Sequence, residues 1–207
     1  MTESPTFERY IGDALAGRVT EQGQLLQLYR NYLLVLAASQ LGADLRQRLS
    51  PSDLVQEAML AAFKGLATFR GRTEAEFLGW LRQILVRCLH RQLMVHVGRE
   101  KRDLRREITV EQIGRSMANA SWSGRPEFQS EHSSPSAQVI RQERAVIMAN
   151  ELSRLSPDHR DVVVLRTFQS LGFRDIAEKL GKSEGAVRMC WLRAIDQLRK
   201  NMEGSEL

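Results

Sequence analysis

SLGFRDIAEKLGKSEGAVRMCWLRAIDQLRK, residues 170–200, holds two helical patterns separated by a short turn. On each side of Gly181, apolar residues recur every three or four positions, which is the spacing of a helix with one buried face. Gly181 can end a helix in a left-handed conformation, and Ser183 can cap the next helix by accepting from its free N–H groups. Two short helices joined by a tight glycine turn form a helix-turn-helix. The spacing also predicts that Ala177 allows close helix approach and that Val187 fills the space between the helices.

The opposite face of the second helix carries arginine beside apolar residues. Met189 and Leu192 are unusual on a solvated surface, whereas a helix in the major groove uses apolar contacts on thymine methyls and arginine on guanine or phosphate. An ordinary helical hairpin with two stray apolar residues is the alternative, and the joint spacing favours DNA binding. The candidate DNA contacts are Ser183, Glu184, Gly185, Arg188, Met189, Leu192 and Arg193.

The first half of the chain predicts a separate helical module. Residues 1–20 read as a polar lead-in with one helical turn at about 10–15, and residues 22–41 as one continuous helix. Ser50-Pro51 is a helix start, because serine caps and proline fits the first helical position. That helix is expected to run to about residue 69, and a capping box at residues 73–76 predicts the start of another.

Two surfaces of this module are candidate binding sites. The helix after Ser50 presents acidic and amide groups around a leucine, and the pattern alone supports a solvated face and a docking face equally. The next helix ends in the densest charge of the chain, eight cations against two acids between residues 82 and 106. With Trp80 nearby, it could hold a phosphate backbone and stack on an exposed base, the alternative being a solvated charged surface.

Composition and cysteine usage limit the remaining possibilities. The net charge of +5 and the pI of about 9.6 favour a polyanionic partner. Cys88 and Cys190 each fall in an apolar helical pattern, which is typical of reduced structural thiols. The chain opens with no secretory signal, and its longest apolar-rich stretch, residues 33–41, is too short to span a bilayer. We therefore expect a cytoplasmic protein without membrane insertion.

Catalysis, cofactors and metals are not expected. Gly181-Lys182-Ser183 ends like a nucleotide-binding P-loop, but Ile176 stands where that motif needs its first glycine. The four histidines are scattered and, with Cys88, give no zinc spacing and no catalytic triad. An enzyme is therefore the least favoured class.

The resulting prediction is an all-α chain of two small helical domains joined by a flexible linker. The first domain covers residues 8–106, and the second, with the helix-turn-helix, covers residues 141–203. Residues 107–140 form the linker, because much of the segment is rich in serine, proline and other polar residues without a period.

Taken together, the two modules resemble the extracytoplasmic-function sigma factors of bacterial RNA polymerase. SDLVQEA at residues 52–58 is similar to the signature of sigma region 2, which docks on the clamp helices of the polymerase β′ subunit. FRG at residues 69–71, followed by Phe77, Trp80 and Ile84, resembles the segment that melts the −10 promoter element and captures its flipped bases. SEGAVR at residues 183–188 resembles region 4, which reads the −35 element. Met189, Cys190 and Trp191 depart from the small or basic residues of many members, so the base preference stays open.

This resemblance implies a non-enzymatic sigma factor that binds core RNA polymerase, through the β′ clamp helices and the β flap, and promoter DNA. Many relatives are also held by an anti-sigma factor. The implied core-binding residues are Asp53, Gln56, Glu57 and Leu60. The implied −10 contacts are Phe69, Arg70, Arg72, Trp80, Arg87, Arg91, Lys101, Arg102 and Arg105. The alternative, a stand-alone helix-turn-helix regulator whose first module senses a ligand or dimerises, explains neither the acidic face nor the basic helix.

Overall fold

The computed structural model describes residues 5–41, 49–97 and 135–203, and within these ranges all regular structure is helical. The first module contains α1 (Pro5–Leu15), α2 (Val19–Leu28), α3 (Arg30–Gln40), α4 (Pro51–Gly65), a 3₁₀ turn (Leu66–Thr68) and α5 (Glu74–Val97). The second module contains α6 (Pro135–Arg154), α7 (Pro157–Thr167), α8 (Phe173–Leu180) and α9 (Glu184–Glu203). The predicted all-α class is confirmed for this part of the chain.

The first module packs its helices around an aromatic centre. Phe7, Tyr29, Tyr32 and Phe77 are almost completely buried, and aliphatic residues of α2–α5 surround them. The predicted start of α4 is confirmed, since the Ser50 Oγ accepts from the N–H of Ser52 at 3.1 Å and Pro51 takes the first turn.

The continuous helix predicted for residues 22–41 is wrong, because the chain bends at Tyr29 between α2 and α3. Tyr29 has φ −101° and ψ 2°, outside the helical range. Its ring is 2% exposed, and its hydroxyl donates to the Glu74 Oε1 at 2.7 Å. At the bend this large side chain lies in the core, and its hydroxyl has a hydrogen-bond partner there.

The single N-terminal turn expected at residues 10–15 is also wrong, because α1 is a full helix. Phe7 and Ala14 are buried, and the Phe7 ring centroid lies 5.6 Å from that of Phe77. Tyr10 and Ile11 pack against the same core. α1 is therefore part of the module and covers one side of the aromatic centre.

In the second module, α6 begins earlier than predicted. Pro135 starts the helix, so the end of the expected linker is helical, and residues 107–134 lie outside the described part of the chain. Proline is well placed in a first helical turn because it lacks only an N–H that would be unpaired there. The Ser156 Oγ caps α7 by accepting a hydrogen bond from the His159 N–H at 3.4 Å.

The two modules, predicted as two helical domains joined by a flexible linker, pack against each other. Residues of α6 and α7, including Ala149 and Val164, belong to the same core cluster as α3. The Asn31 Nδ2 donates to the Asn150 Oδ1 at 3.0 Å. The Gln169 Nε2 lies 3.2–3.3 Å from the carbonyl oxygens of residues 38, 39 and 41, at the end of α3. A side chain of the second module thus caps a helix of the first.

Candidate nucleic-acid interface

The turn between α8 and α9 has the predicted helix-turn-helix geometry. Gly181 has φ 64° and ψ 33°, a left-handed conformation that glycine adopts without steric cost. The N–H of Lys182 donates to the carbonyl of Ala177 at 2.9 Å and closes the end of α8. The Ser183 Oγ accepts from the N–H of Ala186 at 3.2 Å and caps α9. The predicted turn and cap are confirmed.

A small apolar core sets the angle between these helices. Val187 of α9 and Ile176 of α8 are buried, and they pack with Val162 and Leu165 of α7. Ala177 is also buried, which allows close approach of the helix backbones. The predicted structural roles of Ala177 and Val187 are therefore confirmed, and α9 turns its other face to solvent.

The outer face of α9 exposes both apolar and basic side chains to solvent. Met189 is 49% exposed and Leu192 is 59% exposed. Every residue predicted here as a DNA contact is exposed: Ser183, Glu184, Gly185, Arg188, Met189, Leu192 and Arg193. The helix thus presents a surface suited to a partner with both apolar and anionic groups.

Arg188 is the most constrained side chain on this face. Its Nε and Nη2 donate to the Glu184 Oε1 at 3.1 and 2.6 Å, one helical turn earlier. Its guanidinium carbon lies 5.0 Å from the ring centroid of Phe173, within cation–π range. Two different contacts therefore fix the direction in which this cation points.

Phe173 is itself held in place. Its ring lies 6.4 Å from that of Trp191 at an interplanar angle of 64°, and the Arg166 guanidinium carbon lies 4.7 Å from its centroid. The Arg166 Nη1 donates to the carbonyl of Leu171 at 2.8 Å. The start of α8 is thus connected to both α7 and α9 through one aromatic ring.

Lys182, which stands in the P-loop-like tripeptide, is engaged with Asp158 of α7. Its Nζ forms a short hydrogen-bonded ion pair with the Asp158 carboxylate, and this contact raises the pKa of the exposed ammonium. The pair fastens the turn to α7, a structural role for this residue.

In the first module, a cluster of aromatic rings lies under the turn that leads into α5. The Phe69 ring centroid is 5.3 Å from those of both Phe77 and Trp80, and Phe77 and Trp80 are 5.5 Å apart. Phe69, predicted as a DNA contact, is only 6% exposed, whereas Trp80 is half-buried. A Cβ added at Gly71 would overlap the Phe69 ring, so the close approach of this turn requires glycine.

The turn at residues 69–73 is shaped by Glu76. Its Oε2 accepts from the backbone N–H of Arg72 at 2.7 Å and of Thr73 at 3.0 Å, and the Thr73 Oγ1 accepts from the Glu76 N–H at 3.2 Å. This confirms the predicted capping box. The hydrogen bonds from Arg72 and Thr73 lower the pKa of the Glu76 carboxyl. The side chains of Arg70 and Arg72 remain exposed on the same turn.

The predicted docking face of α4 is exposed except at Glu57. Asp53 and Gln56 face solvent, and Leu60 is 55% exposed. Glu57 is half-buried because it accepts a hydrogen bond from the Gln92 Nε2 at 2.6 Å and forms an ion pair with Arg91. A predicted core-binding residue is therefore paired with a predicted DNA-binding residue.

The remaining site residues divide between exposed positions and undescribed ones. Arg87 is exposed on α5, whereas Lys101, Arg102 and Arg105 lie outside the described residues. Within the described ranges, no three His, Cys, Asp or Glu side chains come together as a possible metal site. Likewise, no helix among these residues is long and apolar enough to cross a membrane.

Two structurally important residues were not predicted from the sequence. Arg166 helps to organise the helix-turn-helix through its contacts with Phe173 and Leu171, and Gln169 joins the modules. The partners of Gln169 lie about 130 residues away in sequence, and no local pattern could have indicated them.

Fold and surface together define a two-module helical protein with a helix-turn-helix, and comparison with known proteins identifies its family. The family model for sigma-70 region 2 matches residues 24–96, and the model for sigma-70 region 4 matches residues 152–200. The chain is 28% identical to the RNA polymerase sigma factor YlaC of Bacillus subtilis, over 74% of this chain and 78% of that protein. It is 25% identical to the ECF RNA polymerase sigma factor SigD of Mycobacterium tuberculosis, over 93% of this chain and 82% of that protein.

A third relative is the RNA polymerase sigma-H factor of Pseudomonas aeruginosa, 27% identical over 73% of this chain and 72% of that protein. The chain thus belongs to the sigma-70 family, as an RNA polymerase sigma factor of the extracytoplasmic-function type. Its function is transcription initiation, with core RNA polymerase and promoter DNA as partners.

Proposed function

We propose that the outer face of α9 reads the −35 element of the promoter. The observation that carries this assignment is the exposure of Met189 and Leu192 beside two arginines, on a helix whose other face is buried. In the major groove, these side chains would meet thymine methyls, guanine edges and phosphates. Ser183, Glu184 and Gly185 lie at the helix N-terminus, the end with which recognition helices approach base edges.

The first module acts on the −10 element through the turn at residues 69–73 and the exposed side of α5. Arg70, Arg72 and Arg87 are exposed and can hold phosphates, and half-buried Trp80 offers a ring edge for an unpaired base. Phe69 is buried, so its role is to support the turn from beneath. Lys101, Arg102 and Arg105 extend this basic surface in sequence.

Core polymerase docks on α4, with Leu60 as the apolar anchor and Asp53 and Gln56 in the polar rim. We assign this face to the β′ clamp helices and the second module to the β flap, in the cytoplasm. An anti-sigma factor that covered either face would block assembly. Glu57 takes part only if its ion pair with Arg91 opens, because that carboxylate is already engaged.

Promoter binding requires the two modules to separate. Sites at −35 and −10 are ~25 base pairs apart, which is about 85 Å of duplex at 3.4 Å per base pair. A compact chain of 207 residues has a radius of gyration of about 17 Å and hence a diameter of roughly 45 Å. The packed arrangement cannot reach both sites, so polymerase must hold the modules apart. Binding to promoter DNA by the isolated protein is therefore expected to be weak.

Two substitutions test the assignment of the −35 face and of the polymerase-binding face. Each is expected to impair one of these interactions and to spare the other. Arg188→Ala is expected to reduce run-off transcription from a cognate promoter about tenfold, the effect of losing one good base contact, and to leave polymerase binding intact. Asp53→Ala is expected to weaken association with core polymerase in a pull-down and to spare the second module's contacts.

If Arg188→Ala reduces core binding as much as transcription, the −35 assignment fails. If core binding is unchanged in an Asp53→Ala/Leu60→Ala double variant, the docking face is elsewhere. Tight promoter-specific binding without polymerase would favour the stand-alone regulator instead.

A further inference from the structure

We infer that Glu184 and Phe173 are positioning residues that orient Arg188 to read one guanine of the −35 element. This inference rests on the proposed role of α9. It concerns how the arginine is held, which determines whether it distinguishes bases or only binds phosphate.

The hydrogen bonds leave one edge of the guanidinium available. Arginine has five N–H groups in a planar fork. Glu184 accepts from Nε and from one N–H of Nη2, both on the same side. Of the three that remain, one on Nη1 and one on Nη2 form the outer edge, whose spacing matches the O6 and N7 acceptors of guanine.

Stacking on Phe173 restricts the Arg188 guanidinium more than the ion pair alone can. The exposed Glu184–Arg188 pair at i,i+4 restrains the side chain only weakly by itself. The Phe173 ring lies 5.0 Å from the guanidinium carbon of Arg188 and limits movement of the guanidinium in a direction that the ion pair leaves free. Trp191 and Arg166 hold that ring in turn, so the orientation is set before DNA arrives.

Preorganisation of this kind increases discrimination more than general affinity. A mobile arginine can bind a phosphate when the base is not guanine. A fixed guanidinium instead leaves its N–H donors unpaired opposite any other base. Glu184 also brings a negative charge near the DNA backbone, which disfavours binding at random sequences. Loss of Glu184 should therefore strengthen nonspecific binding and weaken base choice.

The experiment uses the full chain assembled with core polymerase and a promoter library randomised across the −35 element. Transcripts from each variant give the base preference at every position. The wild type is expected to prefer guanine at one position, and Arg188→Lys to lose that preference, because lysine keeps the charge but not the fork. Glu184→Gln and Phe173→Leu are expected to reduce the same preference at least about fivefold and to leave other positions unchanged.

Matched controls separate positioning from charge and from folding. Asp196→Asn removes one negative charge from the same helix, where that carboxylate pairs with Lys200 and Arg199, and should leave the guanine preference unchanged. Phe173→Tyr retains the ring and should restore the preference lost in Phe173→Leu. Glu184→Gln should also raise binding to random DNA.

The possible failures are distinct. If Arg188→Lys removes a base preference that Glu184→Gln and Phe173→Leu leave intact, Arg188 reads the base without these supports, and the inference is wrong while the proposed function stands. If Arg188→Lys lowers transcription equally on all sequences, the contact is to a phosphate, which also overturns the inference. If no variant of α9 changes promoter choice, the proposed −35 assignment fails.

Discussion

The two modules place their candidate DNA-binding side chains by different means. In the first, the turn at residues 69–73 rests on buried groups: Phe69 lies in an aromatic cluster, and Tyr29 donates to the buried carboxylate of Glu74 at the start of α5. In the second, Arg188 is oriented by Glu184 and half-buried Phe173, both outside the main core.

This difference has a consequence for mutation. A change beneath the first module's turn is expected to alter stability and function together, because the same rings serve both. A change around Arg188 is expected to alter recognition with little effect on folding, because exposed ion pairs contribute little to stability. The surface proposed to select sequences is thus the one expected to vary with the least damage to the fold.

The largest expected effect on the free energy of unfolding comes from comparing a phenylalanine-to-alanine substitution in each module. Phe77→Ala removes a fully buried ring that contacts Phe7, Tyr29, Phe69 and Trp80, and should lower the free energy of unfolding by about 3–5 kcal/mol. Phe173→Ala should cost clearly less, because its ring is half-buried. Urea denaturation of the full chain measures both. Equal losses would show that the α8 ring is as important to stability as the aromatic cluster.

A smaller effect is expected where the modules meet. Gln169→Ala removes the side chain that caps α3 and should lower the free energy of unfolding by about 1 kcal/mol. If the modules must part to bind polymerase, the same change should tighten core binding up to about fivefold. Gln197→Ala on the exposed side of α9 is the matched control. Reduced stability without tighter core binding would mean that docking does not require separation.

The smallest effect is the pH dependence of the first module's turn. The pKa of Glu76 lies below its ordinary value of 4.5 because its carboxylate accepts from Arg72 and Thr73. The stabilisation is therefore fully present above pH 4.5 and is lost as pH falls through the lower pKa of the folded state. The stability difference between wild type and Glu76→Gln should shrink as the pH falls below about 4.5.

The matched control for this titration is Glu178→Gln on the exposed face of α8. A difference between wild type and Glu76→Gln that stays constant over the same pH range would show that the carboxylate does not stabilise the turn through these hydrogen bonds.

Local sequence signals predicted the parts of the fold that depend on neighbours in the chain. The caps at Ser50 and Ser183, the box at Thr73 and Glu76, and the left-handed Gly181 all form within a few residues. Hydrophobic spacing likewise predicted that Val187 lies on the buried face of α9.

Features set by distant partners could not be predicted in this way. Tyr29, at the bend, hydrogen-bonds to Glu74, 45 residues later, and Gln169 contacts the end of α3. The burial of Phe69 requires three-dimensional packing against Phe77 and Trp80, so an apparent DNA contact turned out to lie in the core. The pairing of Glu57 with Arg91 was missed because the two side chains come from different helices.

That pairing links two proposed binding faces through one carboxylate. Glu57 lies on the helix proposed to meet polymerase, and its partners Arg91 and Gln92 lie on the helix proposed to meet DNA. A basic group of polymerase that displaced Arg91 from Glu57 would free a positive charge for the promoter at the moment of assembly. Polymerase binding and promoter binding would then be coupled by an exchange of ion-pair partners, without movement of the helices.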